Sequence, residues 1–146
     1  MPPFQVESFA VGEDCAVLRV GGEVDVYTVP AVRERVIKLI DDGAVHVLAD
    51  LRQVTFLDST GLGMLIGSLR RLRARDGSLT LVSDTDRIRR LFRVTALDRV
   101  FVIWPSAQEA VTADRHWRVA VTAGGDTVED WCHRLDDAGA PGAPGA

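Results

Sequence analysis

Apolar and polar positions recur with two different periods along this chain, and the switches between them predict an alternating series of strands and helices. Phe4 to Phe9 and Ala16 to Val20 carry period-two or β-branched runs. Joined by the turn-prone Gly12-Glu13-Asp14, they predict a hairpin that Gly21-Gly22 ends. Val29, Val32, Val36, Leu39 and Ile40 then return at spacings of three and four. This predicts a helix with Thr28 as its N-cap, Pro30 near its first turn and Gly43 at its close. Val45 to Ala49 reads as a short central strand, followed by a connection of about ten residues and a helix beginning near Ser59. Leu62, Leu65, Ile66, Leu69 and Leu72 form its buried face, Arg70, Arg71, Arg73 and Arg75 lie around the rest, and Gly77 stops it.

The second half repeats the alternation. Leu79 to Val82 predicts a strand. Asp84 and Asp86 favour a helix start that buries Ile88, Leu91 and Phe92, Val100 to Ile103 returns to strand, and Ser106 to Val111 makes a short helix. The order ββαβαβαβα is that of an α/β domain with a mixed sheet and packed helices. Beyond Ala113, Trp117, Val119 and Val121 alternate with Arg118, Ala120 and Thr122, which predicts a further strand turned by Gly124-Gly125. An amphipathic helix follows, with Val128, Trp131, Cys132 and Leu135 on one face and Asp126 or Thr127 as its cap. Residues 138–146, all Ala, Gly and Pro, cannot form a packed core and are expected to be disordered.

With 146 residues and 47% apolar content, the chain can bury one full core, so a single domain with an extension is expected. The extension is expected to protect an edge or pack on the sheet; its tryptophans keep a partner-binding role open. The apolar runs fall far short of the roughly 20 residues a spanning helix needs. The first residues lack both a basic start and an apolar run, so no secretory signal is expected and a cytoplasmic location is the default. Cys15 and Cys132 show no CxxC spacing, and His46, His116 and His133 are far apart in sequence, which suits ordinary packing better than a disulfide or metal site. Nine arginines against four aspartates between Arg70 and Arg99 make one region basic within a chain of net charge −4. Without interleaved aromatics or a groove-binding module, these arginines read as solvated helix faces and not as a nucleic-acid surface.

The segment Thr55 to Ile66 concentrates the chemistry, because it sets a Ser-Thr pair at a surface helix start, where a side-chain oxygen can satisfy unpaired backbone N–H groups. Three readings of Ser59 compete. A serine hydrolase fails on motif, since Leu57 stands where the GxSxG elbow needs glycine and no nearby histidine is marked as a base. For a dinucleotide site, Gly61-Leu62-Gly63 followed by Gly67, with Asp84 after the next strand, has the composition but not the spacing. About ten residues separate strand from first glycine, and Gly67 falls one position late. The glycines are also explained by close approach of a neighbouring backbone or partner. The third reading is a protein-binding switch, since phosphate at an exposed hydroxyl changes the local charge by about −1.5 to −2.

Gly21-Gly22-Glu23-Val24-Asp25, Leu48-Ala49-Asp50-Leu51 through Val54 to Gly63, and Leu91-Phe92-Arg93-Val94-Thr95-Ala96-Leu97 together resemble the STAS domain in its anti-sigma factor antagonist branch. The resemblance covers about residues 4–113, leaving 114–137 as a C-terminal extension. Asp58-Ser59-Thr60-Gly61-Leu62-Gly63 is its most specific element and resembles the family's phosphorylation loop in full. The resemblance implies that Ser59 is the phosphoacceptor for a partner that is both anti-sigma factor and serine kinase. Asp58 is then the adjacent acid, Thr60 the second hydroxyl, and Asp25 an acid of the neighbouring partner surface. Gly61 and Met64 complete the expected partner-binding set, although Met64 also reads as partly core. A phosphatase acting on the phosphoserine is implied, no cofactor or metal is expected, and a homodimer is compatible with the resemblance. The domain would be the kinase's substrate and no enzyme itself. A nucleotide-binding or scaffold STAS module without a phospho-switch is the alternative.

Overall fold

The computed structural model describes residues 3–137. The Ala/Gly/Pro tail expected to be disordered lies outside the described residues. The strands are β1 (Gln5–Val11), β2 (Cys15–Val24), β3 (His46–Leu57), β4 (Ser78–Val82) and β5 (Ile103–Trp104). The helices are α1 (Val29–Asp41), α2 (Ser59–Arg73), α3 (Asp86–Val94), α4 (Ala107–Thr112), α5 (Arg115–Ala123) and α6 (Val128–Asp136). The strands lie in sequence order in one sheet, β1 antiparallel to β2 and the rest parallel. This is the mixed α/β order read from the periodicity.

Alternation along the central strands decides what each face covers. Ala16, Leu18 and Val20 of β2 and Val47, Ala49 and Leu51 of β3 point into one core with the apolar stripes of α1, α2 and α3. Cys15, Val17 and Leu48 point the other way, into a second core built with α4, α5 and α6 around Trp117 and Trp131. The segment beyond Ala113 therefore packs on the sheet. Arg52 on β3 reaches across this second face: its guanidinium grips Asp50 at 2.9 Å from Nε and Nη2 and also donates to Asp136 Oδ1 and the Leu135 carbonyl. Burial works against its charge, but Asp50 and then Asp136 hold it firmly cationic.

Several expectations from the sequence are corrected. Gly21-Gly22 does not end β2, which bulges there and continues to Val24. Gly22 has φ +82° and leaves no room for a Cβ, which would fall 2.7 Å from the Phe4 backbone, so only glycine lets the strand pass. The prolonged β2 gives β3 partners as far as Val24↔Leu57, and the predicted ten-residue connection is strand. The strand predicted at Trp117 to Thr122 is helix α5. Trp117, Ala120 and Val121 are buried at helical spacing, Val119 is 57% exposed, and Asp114 caps the start by accepting from the His116 and Trp117 N–H groups. Before β5, Leu97–Arg99 forms a 3-10 turn, so the strand shrinks to two residues. Ile66 and Leu91 are half-buried, where full burial was expected.

Candidate functional site

Because β2 and β3 are parallel neighbours ending together at Val24 and Leu57, the segments that leave them run side by side at one end of the strands. Asp58 alone links β3 to α2. Its backbone is extended, its N–H donates to the Val24 carbonyl at 3.4 Å, and its carboxylate accepts the Gly61 N–H at 3.1 Å. Asp58 is thus the N-cap, a role that the Ser59 hydroxyl was read as able to fill. Ser59 is the first helical residue, exposed, and Thr60 beside it is half-buried. The Ser59 and Thr60 N–H groups belong to the first turn, which has no intrahelical acceptors, and together with the helix dipole they tolerate an anion.

Asp25 shapes the adjacent turn. Its Oδ1 accepts from the N–H groups of Tyr27 at 2.9 Å and Thr28 at 3.1 Å, its own N–H donates to Thr28 Oγ1 at 3.0 Å, and that hydroxyl donates to the Glu23 carbonyl at 2.8 Å. With its backbone tied down in this way, the turn projects Val26, 59% exposed, and Tyr27, 88% exposed, into solvent. Neither was singled out from the sequence. The available signal was two apolar residues in a segment claimed by neither the strand nor the helix period. Phe56, also exposed, lies on β3 two residues before Asp58.

The expected contact residues divide by depth. Asp25, Asp58, Ser59 and Thr60 reach or approach the surface, whereas Gly61 and Met64 are buried and support it from beneath. Met64 is 4% exposed, in keeping with its reading as core, and its sulfur sits 3.7 Å from Ser68 Oγ. A Cβ on Gly61 would fall 2.3 Å from Leu57 Cδ1 and 3.1 Å from Val24 Cγ1, so this glycine lets α2 settle onto the strand ends. Gly63 and Gly67, in contrast, have nothing within 4 Å of a built Cβ and line a shallow groove of about 120 Å3 between α1 and α2.

The one-residue link removes the length objection to a dinucleotide loop. The geometry supplies a better one: Gly61 is filled from below by Leu57 and Val24, and Gly63 and Gly67 open outward along the helix. Among the histidines, His46 begins β3 at its far end from Ser59, and His116 and His133 belong to α5 and α6.

Comparison with known proteins agrees with this architecture. The STAS domain model matches residues 9–110, a span that includes Asp25 and the whole of Asp58 to Met64 and stops within α4. The anti-sigma-B factor antagonist of Staphylococcus aureus is 42% identical over 80 residues, covering 55% of this chain and 74% of that protein. The crystal structure of an anti-sigma factor antagonist from Mycobacterium paratuberculosis superimposes with a TM-score of 0.70 at 27% identity, over 77% of this chain and 95% of that one. The anti-sigma factor antagonist SpoIIAA in its unphosphorylated form gives a TM-score of 0.62 at 26% identity, over 75% and 93%. The chain belongs to the STAS domain family.

Proposed function

We propose that this protein is an anti-sigma factor antagonist whose partner binding is switched by phosphorylation of Ser59. The observation that carries the proposal is the exposed Ser59 hydroxyl at the first helical position, beside a Val26–Tyr27 turn that holds apolar surface in solvent. The names of the relatives support it, since they are antagonists of anti-sigma factors and one is described in an unphosphorylated form.

In this mechanism the unphosphorylated surface formed by Asp25, Val26, Tyr27, Asp58, Ser59 and Thr60 docks on an anti-sigma factor and frees the sigma factor. Tyr27 supplies the kind of large, amphipathic side chain that anchors protein interfaces. The anti-sigma factor is also the serine kinase, and this chain is its substrate and acts as a regulator, not as an enzyme. A phosphate on Ser59 lies at the positive end of α2, so the fold tolerates it. At the interface the same dianion lies next to the Asp58 carboxylate and must lose its water, which weakens docking. A phosphoserine phosphatase resets the switch, and the exchange takes place in the cytoplasm.

Incubation with the cognate kinase and Mg-ATP tests this directly. One added phosphate is expected in the wild type and none in Ser59→Ala; an undiminished mass shift in Ser59→Ala would overturn the site. Ser59→Glu is expected to fold normally but bind the partner weakly, and Tyr27→Ala to lose about tenfold or more in affinity at unchanged thermal midpoint. Calorimetry with nucleotides separates the alternative. Tight binding abolished by substitution at Gly61 or Gly63 would favour a nucleotide-binding module.

A further inference from the structure

At the opposite end of β2 from the Ser59 site, about 30 Å away at strand rise, folding gathers residues that lie far apart in the sequence. Asp14 ends the β1–β2 turn, Cys15 opens β2, and His116 is the second residue of α5. The Asp14 carboxylate oxygens both lie 3.0 Å from His116 Nε2, the Cys15 thiol lies 3.7 Å from Asp14 Oδ1, and one donor atom from each residue lies within 4.8 Å of the others.

We propose that Asp14, Cys15 and His116 form a binding site for a Zn2+ ion, with water as the fourth ligand, that clamps the C-terminal helices onto the STAS core. One thiolate, one imidazole and one carboxylate make a donor set suited to a borderline-soft cation, where hard Mg2+ or Ca2+ sites use oxygen. Tetrahedral zinc at the usual bond lengths sets sulfur and carboxylate oxygen about 3.6 Å apart, and imidazole nitrogen and oxygen about 3.4 Å apart. The sulfur–oxygen edge is already at that length, and the nitrogen–oxygen edge has only to open from its hydrogen-bonded 3.0 Å. Zinc entry replaces the Asp14–His116 hydrogen bond: His116 gives up its Nε2 proton and binds as a neutral imidazole protonated at Nδ1, the Cys15 thiol proton leaves to solvent, and three protein–metal bonds form. Two ligand anions then balance the dication.

The surroundings hold these ligands in place. The Asp14 carbonyl accepts the Val45 and His46 N–H groups at 2.9 and 3.0 Å, and Cys15 pairs directly with His46 across β2 and β3. The His46 ring lies against that of His116, centroids 4.0 Å apart, while its Nδ1 sits 2.8 Å from Ser78 Oγ. Trp117, next to His116, is 1% exposed and anchors α5 in the second core. No local spacing in the sequence links Cys15 to His116, since 101 positions separate them.

Cobalt titration of the metal-stripped full-length chain tests the proposal. The wild type is expected to bind one Co2+ with a thiolate-to-cobalt charge-transfer absorption that added Zn2+ abolishes, and Zn2+ is expected to raise the thermal midpoint. Cys15→Ser removes the band, His116→Gln and Asp14→Asn each weaken binding by more than about tenfold, and His133→Ala leaves it unchanged. Absence of the band in folded wild type, or its survival in Cys15→Ser, would overturn the site. Should Cys15→Ser fail to fold, unchanged cobalt affinity in both His116→Gln and Asp14→Asn, at positions whose side chains are 45% and 41% exposed, would overturn it equally.

Discussion

The Asp58 carboxylate accepts the Gly61 backbone N–H at 3.1 Å, capping α2 directly before its first residue, the exposed Ser59. Cap and proposed phosphoacceptor are neighbouring residues with separable roles. Asp58→Ala is expected to destabilise the fold by about 1 kcal/mol, the usual loss on truncating an N-cap, whereas Asp58→Asn keeps the cap and nearly all the stability. Urea unfolding of both variants checks this, and equal losses would mean that the charge and not the cap matters.

Two glycines of α2 should respond in opposite directions. Gly61→Ala drives a methyl group into Leu57 and Val24 and is expected to cost about 1–3 kcal/mol through overpacking. Gly63→Ala meets open space and is expected to stabilise the helix by about 0.5–1 kcal/mol. Thermal unfolding gives both signs. If the stabilised Gly63→Ala variant also binds an anti-sigma factor less well, the partner approaches the helix closely at that point.

Arg52 and Asp136 couple the strand that carries the Ser59 site to the last helix. The Arg52 side chain is 9% exposed and Asp50 3%, so Arg52→Ala leaves a buried carboxylate short of its main partner and is expected to cost about 3 kcal/mol or more. Asp136 also accepts the Ala107 and Gln108 N–H groups at 2.7 and 3.1 Å, so Asp136→Ala loosens the start of α4 as well. A double-mutant cycle on Arg52 and Asp136 is expected to show a coupling of about 0.5–3 kcal/mol. A coupling near zero would mean that the Arg52–Asp136 ion pair does not hold α6, leaving that to the packing of Trp131, Cys132 and Leu135 and to the bonds from Asp136 to the start of α4.

Burial, followed by the nearby Asp136 charge, pushes the Cys132 thiol up from 9.0 to about 12. A raised folded value favours the protonated thiol, so the contribution is fully present below 9.0 and is lost as pH rises toward about 12. Stability is therefore expected to fall across that alkaline window, and less steeply in Cys132→Ala once its lower baseline is subtracted. At about pH 8 a thiol reagent is expected to reach Cys132 only after denaturant is added; rapid labelling of the folded protein would contradict the burial.

Much of this molecule was legible because its signals are local. The stripes of α1 and α2 and the polar residues before Ser59 each act within a few positions, so periodicity and capping chemistry suffice. The second half of β3 was not, because Arg52, Gln53 and Thr55 look like loop residues until Asp136, 84 positions away, satisfies Arg52 and the bulged β2 supplies a pairing edge. In α5, Trp117, Ala120 and Val121 fit a helix while Trp117, Val119 and Val121 fit a strand, and only the buried face of the packed sheet decides between them. Tyr27 was not legible, because no local period explains an apolar side chain whose turn is held by Asp25.

The one-residue passage from β3 into α2 leaves the helix no slack. Its first turn inherits the rigidity of a paired parallel strand, and the Asp25 turn beside it is likewise tied by its own hydrogen bonds. A partner that lands at this end of the sheet meets backbone already tied by hydrogen bonds, so little conformational entropy is lost in ordering it. Preorganisation of that kind lets a change of charge at one hydroxyl act on affinity directly, without first having to shift an equilibrium between two folds.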